Sequence, residues 1–116
     1  MPRLDLPERH LDQLRRLLKT YVPDAEVWAY GSRINGKSHE ASDLDLVLRN
    51  PADLSRPQEQ LLDLKEALSD SDIPILVDVL DWARLPEHFH AVIEDGYVVV
   101  QEGKFSRSPQ EVRAAM

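Results

Sequence analysis

Apolar residues near the start of the chain recur at helical spacing: Leu11, Leu14, Leu17 and Leu18 share a face, Pro7 suits a first turn, and Val22-Pro23 ends the run. This spacing predicts a helix over about residues 7–21. AEVWAYG then reads as a short strand, β-branched and aromatic, that feeds a turn at Gly31. In DLDLVLR the period changes to two, so Asp43, Asp45 and Val47 share one side of a strand and Leu44, Leu46 and Leu48 the other. Ser55 and Gln58 have capping-box spacing ahead of the stripe Leu61, Leu64 and Leu68, with Leu62 and Ala67 beside it, which predicts a second helix over about 57–69. IPILVDVL reads as a mostly buried strand with one polar interruption, Asp78, and with Pro74 at its first or an edge position. Phe89, Val92 and Ile93 predict a short helix closed by Gly96, and YVVVQ a last strand.

The 116 residues suffice for one core, expected within residues 1–103. KFSRSPQEVRAAM, residues 104–116, has little apolar pattern and reads as a flexible or partner-dependent tail. No apolar run is long enough to span a bilayer, and MPRLDLPERH has charges where a secretory signal would be apolar, so the cytoplasm is the expected compartment. The absence of Cys excludes disulfides, thiolate metal sites and cysteine nucleophiles, while the 21 carboxylates and four His leave sites for hard cations. The net charge of −7 is uneven: +1 over residues 1–41, −10 over 42–103 and +2 over 104–116. Such an acidic middle lacks the basic footprint of a phosphate-backbone binder, which disfavours direct nucleic-acid binding, and most of it reads as a solvated surface.

YGSRINGKSHEASDLDLVL, residues 30–48, fits two phosphate-handling patterns that imply different folds. Gly31 to Gly36-Lys37-Ser38 spells a P-loop, but that motif needs a helix immediately after it, and only His39 to Ser42 separate it from the strand that restarts at Asp43. The second pattern is Gly31-Ser32, ten residues, then Asp43-Leu44-Asp45. Here every unusual residue has work to do. Carboxylates at i and i+2 of a strand lie roughly 7 Å apart at Cα, so both side chains can converge on a divalent metal pair. Asp78 places a third carboxylate among apolar residues, where an unpaired charge is costly unless a cation or another partner compensates it. Gly31 permits a tight turn and close approach of a ligand, and Ser32 can cap a short helix or bond a phosphate oxygen.

These residues, Gly31-Ser32, the spacer, Asp43-Leu44-Asp45 and Asp78, resemble the DNA polymerase beta superfamily of nucleotidyltransferases. VPDAEVWAYGSR, SDLDL and DSDIPILVDVLDWA resemble its minimal (MNT-type) members, the small bacterial proteins encoded beside a HEPN-like or related four-helix-bundle partner. The resemblance covers about residues 22–101. It implies an α/β (α+β) fold, a small mixed β-sheet with helices packed mainly on one side. It also implies transfer of a nucleoside monophosphate, AMP from ATP or the equivalent from another NTP, to a hydroxyl with release of pyrophosphate. Two Mg2+ ions are implied, with Mn2+ as the alternative: Asp43 and Asp45 would hold the ion that escorts the triphosphate, and all three aspartates the ion that lowers the acceptor's pKa. Several relatives act as antitoxins that attach AMP to their partner, so a protein acceptor and a homo- or hetero-oligomer are expected. The alternative from another class is a partner-docking subunit that binds nucleotide without turnover.

Each candidate has a plainer reading. Asp43 and Asp45 could be a polar strand end, although an EF-hand is excluded because Leu48 and Leu54 stand where its Gly and bidentate Glu belong. Asp81 competes with Asp78, but alternation sets Leu76, Asp78 and Leu80 on one face and Asp81 on the other, where it suits a cap before WARL. Arg33 and Lys37 are supporting candidates for the β and γ phosphates, since loop cations are commonly solvated. His39 is a lone loop histidine, and His10, His88 and His90 lie in helical patterns without ligand company. Trp28, Tyr30 and Trp82 could stack a base, though aromatics on or beside strands usually belong to the core. The sequence leaves open the nucleobase, the acceptor hydroxyl, the oligomeric state and any toxin neutralisation.

Overall fold

A computed structural model describes residues 3–38 and 42–103. The leucine run folds as α1, Glu8–Tyr21, with Pro7 in the capping position at its start and Val22 at its end. Strand β1, Glu26–Tyr30, and β2, Leu44–Arg49, follow, separated by a short 3-10 helix, Ser32–Ile34. Then come α2, Leu61–Ser69, β3, Val77–Asp81, a second 3-10 helix, Trp82–Arg84, α3, Glu87–Glu94, and β4, Val98–Gln101. The sheet order is β3-β2-β1-β4. β1 is antiparallel to β2 and β4, and β2 is parallel to β3. The mixed sheet expected from the sequence is therefore present, with α2 providing the crossover that a parallel pair requires.

Period-two alternation divides the sheet into two faces. Val27, Ala29, Leu44, Leu46, Leu48 and Val79 form one cluster with Leu14 and Leu18 of α1 and Leu64 and Leu68 of α2. Burying each such leucine contributes about 1.5–3 kcal/mol, so this layer holds the domain together. The other face carries a smaller cluster, Trp28, Val47, Trp82 and Ile93, joined by Tyr30, Phe89 and Tyr97. Two helices thus cover the first face, while α3 and the second 3-10 helix cover part of the opposite one. On that second face the Arg49 guanidinium lies 3.9 Å from the Trp28 ring centroid and 4.6 Å from that of Trp82, and it pairs with Glu26, its register partner. The two tryptophans are core residues.

Several sequence expectations need correction. α2 begins at Leu61, not near residue 57, because the preceding residues are occupied in turns. The Ser55 hydroxyl donates to Asp53 Oδ1 at 2.6 Å, and the Gln58 amide donates to Asp81 Oδ2 at 2.8 Å, so the two do not form a capping box. Leu62 is 78% exposed and stands outside the stripe, whereas Leu64 and Leu68 of α2 are buried and Leu61 packs against the core beside them. β3 starts at Val77, after Pro74, although the Leu76 carbonyl already accepts from the Leu44 amide at 2.9 Å. Asp81, in contrast, behaves as its alternation suggests: it is buried, and its Oδ1 accepts from the Ala83 amide at 3.4 Å at the start of the second 3-10 helix. The tail and His39 lie outside the described residues.

Candidate active site

Three strands place the chemistry. Asp45 on β2 is paired in register with Tyr30 on β1 and with Asp78 on β3. Register partners point to the same side, so Tyr30, Asp45 and Asp78 form a row across the sheet on the face that carries α3. Asp43 stands two residues before Asp45, immediately ahead of β2, and is exposed, as is Asp78, while Asp45 is half-buried. Asp78 and Asp45 therefore lie on one side of neighbouring strands, and Asp81 lies on the other side of β3.

The electrostatics agree with this placement. Burial pushes the Asp45 carboxyl up from its ordinary 3.8, and the charges of Asp78 and then Asp43 push it further. The Tyr30 phenol is likewise pushed up, first by burial and then by Asp45 and Asp78. Among the described residues, none of the three carboxylate groups has a side-chain hydrogen-bond or ion-pair partner. Nor do three acidic or imidazole groups among the described residues already stand at metal-binding separation. The like charges of Asp78 and Asp43 disfavour the ionised form of Asp45. The donor set, all carboxylate oxygen, fits a hard divalent ion.

Beside Asp45 runs the glycine turn. Gly31 has φ +83°, a conformation that side chains rarely adopt, and a Cβ placed there would lie 2.5 Å from Asp45 Oδ2. The backbone can press against the carboxylate only because nothing projects from it. Gly31 occupies the capping position of the first 3-10 helix and Ser32 is its first residue, so Ser32 is not the cap that the sequence allowed. Gly36-Lys37-Ser38 leads within a few residues to β2 at Leu44, which leaves no room for a P-loop helix.

The two loop cations differ in setting. Arg33 is buried, and its guanidinium donates to the Ser42 carbonyl at 3.0 Å and to the Asp5 carbonyl at 2.9 Å. The Asp5 amide returns a bond to the Arg33 carbonyl at 2.7 Å, and the Ser38 hydroxyl donates to the Asp5 carboxylate. Arg33 thus ties the N-terminal segment to the residue before Asp43, which places it in the loop's scaffold. Lys37 is exposed, and its amide donates to Asn35 Oδ1 at 3.0 Å. Sequence reasoning passed over Asp5, for which no local pattern exists. It treated Tyr30 only as an aromatic, although its position just before Gly31 on an alternating strand was signal enough to put it beside Asp45. An open cleft of about 1160 Å³ adjoins Tyr30 and Gly31, bounded also by the N-terminal segment and the end of α3.

A family model described as a nucleotidyltransferase domain matches residues 11–101, the span that contains this whole arrangement. The chain belongs to the nucleotidyltransferase family. It is an enzyme that uses a nucleoside triphosphate and a divalent metal. The chain is also similar to the probable protein adenylyltransferase MntA of Haemophilus influenzae, 45% identical over 102 residues that cover 85% of each chain. The resemblance to minimal members of the polymerase beta superfamily is therefore shown, and so is the fold. Among the described residues no helix is long and apolar enough to cross a membrane.

Proposed function

We propose that this nucleotidyltransferase transfers AMP from ATP to a hydroxyl on a protein, with Asp43, Asp45 and Asp78 as its catalytic and metal-holding carboxylates and Mg2+ as the cation. The observation that carries this reading is the row in which Asp45 faces Asp78 in register across two parallel strands, with Gly31 pressed against Asp45. The printed name of the similar protein, a probable protein adenylyltransferase, supports the choice of acceptor class.

In this reading the Gly31-Ser32 turn receives the triphosphate, because a glycine turn lets phosphate oxygens approach main-chain amides. Bound divalent ions supply charge neutralisation at the phosphates and a lowered pKa at the acceptor hydroxyl. Asp43 and Asp45 hold the phosphate side. Asp78, on the neighbouring strand, faces the acceptor and takes its proton as the acceptor oxygen bonds to the α-phosphorus and the bond to the β-phosphate bridge breaks. Pyrophosphate leaves. Arg33 keeps Ser42 and hence Asp43 in place, and Lys37 remains available to the outer phosphates. The partner is a HEPN-like or related four-helix protein, the role that of an antitoxin-like subunit, and the setting the cytoplasm, which supplies ATP and Mg2+.

The test incubates the protein and its co-encoded neighbour with ATP labelled at either the α or the γ phosphate. Transfer of the α label alone onto the neighbour, abolished in Asp43→Asn, supports the proposal. A tight complex that never acquires label contradicts it.

A further inference from the structure

Polarity alternates in the segment that precedes α1. Leu4 and Leu6 are half-buried and pack against the main core, while Asp5 between them is exposed. Pro7 fixes the far end, because its carbonyl accepts from the His10 and Leu11 amides at 3.0 Å each where α1 begins. Residues 4–7 are thus anchored on both sides of Asp5. From this anchored position Asp5 reaches the loop between β1 and β2. Its amide donates to the Arg33 carbonyl at 2.7 Å, its carbonyl accepts from the Arg33 guanidinium at 2.9 Å, and its carboxylate accepts from the Ser38 hydroxyl. The same guanidinium donates to the Ser42 carbonyl at 3.0 Å. Gly31 stands two residues before Arg33, and Asp43 directly follows Ser42. Both chemically important ends of the loop are therefore referred to one anchored residue.

We propose that Asp5 is a positioning residue for nucleotidyl transfer: its main chain, through Arg33, and its carboxylate, through Ser38, hold the Gly31 turn and Asp43 at the separation the reaction requires. The proposal rests on the roles given above to that turn and to Asp43. Asp5 touches no reacting atom. Its effect comes from geometry, since a displacement of about 1 Å at a reacting group can cost roughly a hundredfold in rate. Loss of the carboxylate alone loosens the loop without releasing it, because the two main-chain bonds to Arg33 survive any side-chain change at this position. The bond to Ser38 is exposed, so it contributes little to global stability. Rate and stability consequently report on different things here. Asn at this position keeps an oxygen that accepts from the Ser38 hydroxyl, whereas Ala does not.

The test follows transfer of the ATP α label onto the co-encoded neighbour and reads kcat, the KM for that acceptor and the Mg2+ concentration at half-maximal rate. Asp5→Ala should lower kcat about threefold to tenfold and raise the half-saturating Mg2+ by a similar factor. Its acceptor KM should stay within about twofold of wild type and its melting temperature within about 3 °C. Asp5→Asn should restore both kcat and the Mg2+ dependence. Ser38→Ala should match Asp5→Ala, and the double variant should be no slower than either, since the two side chains make one contact. Wild-type kcat and Mg2+ dependence in Asp5→Ala overturn the proposal. So do an Asp5→Asn enzyme no better than Asp5→Ala, losses that multiply in the double variant, or a rate loss that follows a fallen melting temperature with Mg2+ dependence unchanged. Asp43→Asn tells the two failures apart. If it is inactive while Asp5→Ala is normal, only the positioning role falls; if it transfers normally, or the wild type transfers no label, the reading of the site fails and takes the proposal with it.

Discussion

Asp45 is held in a position that a carboxylate resists: half-buried, with Asp78 facing it across the parallel ladder and Asp43 two residues away. Its folded-state pKa is raised, so its ionisation costs stability above that pKa, and the cost disappears as the pH falls through it toward the ordinary 3.8 of the unfolded chain. Asp45→Asn should therefore melt higher than the wild type in metal-free buffer at neutral pH. The gap should narrow on acidification, while transfer falls about a hundredfold or more through loss of a proposed metal ligand. Thermal scans from neutral pH down through the carboxylate range, paired with activity, check both signs. A wild type stabilised by Mg2+ beside an indifferent Asp45→Asn would complete the pattern. Gly31→Ala makes the opposite prediction for stability. It introduces a Cβ into a positive-φ backbone and against Asp45 Oδ2, and it should cost on the order of 1–3 kcal/mol in chemical denaturation along with most of the activity.

At the scale of elements, β3 presents two aspartates with opposite duties. Asp81 accepts from the Gln58 and Ala83 amides and pins the α2 approach to the second 3-10 helix, whereas Asp78 points to the face that carries Asp45. Asp81→Ala should lower stability by about 1–2 kcal/mol, the cost of leaving two part-buried amides without their acceptor, yet leave the rate per folded molecule near wild type. Asp78→Asn should do the reverse, and denaturation with single-turnover kinetics separates the two. This division was legible in the sequence, because alternation along VDVLD already put the two residues on opposite faces. So were the existence and order of the strands and of the first and third helices, although β3 runs only Val77–Asp81 with Leu76 exposed ahead of it, and Val92 of α3 faces outward while Ile93 is buried. The start of α2 was not legible: Ser55 and Gln58 have capping-box spacing, but their hydrogen bonds go to Asp53 and to a residue 23 positions away. The role of Arg33 was hidden for the same reason, since its partner Asp5 is 28 residues distant and no local pattern announces a long-range hydrogen bond. The cleft beside Tyr30 is likewise assembled from three separate stretches of chain.

At the scale of the molecule, the charge of −7 makes the whole chain repel a polyanionic nucleotide, and the three carboxylates deepen that repulsion at the site itself. Chelation of divalent cations should consequently abolish nucleotide binding and not merely turnover, a distinction that calorimetry with and without chelator reads directly. The fold sets two carboxylates on neighbouring strands and a third at a strand start, on a sheet with apolar clusters on both faces. Groups that act on one reaction centre as a unit are not additive. The most direct measurement is the transfer rate of Asp43→Asn, Asp45→Asn, Asp78→Asn and the triple variant under identical Mg2+ and ATP. The account predicts that each single change drops the rate nearly to that of the triple variant. An Asp78→Asn enzyme close to wild type, or losses that simply add, would contradict it.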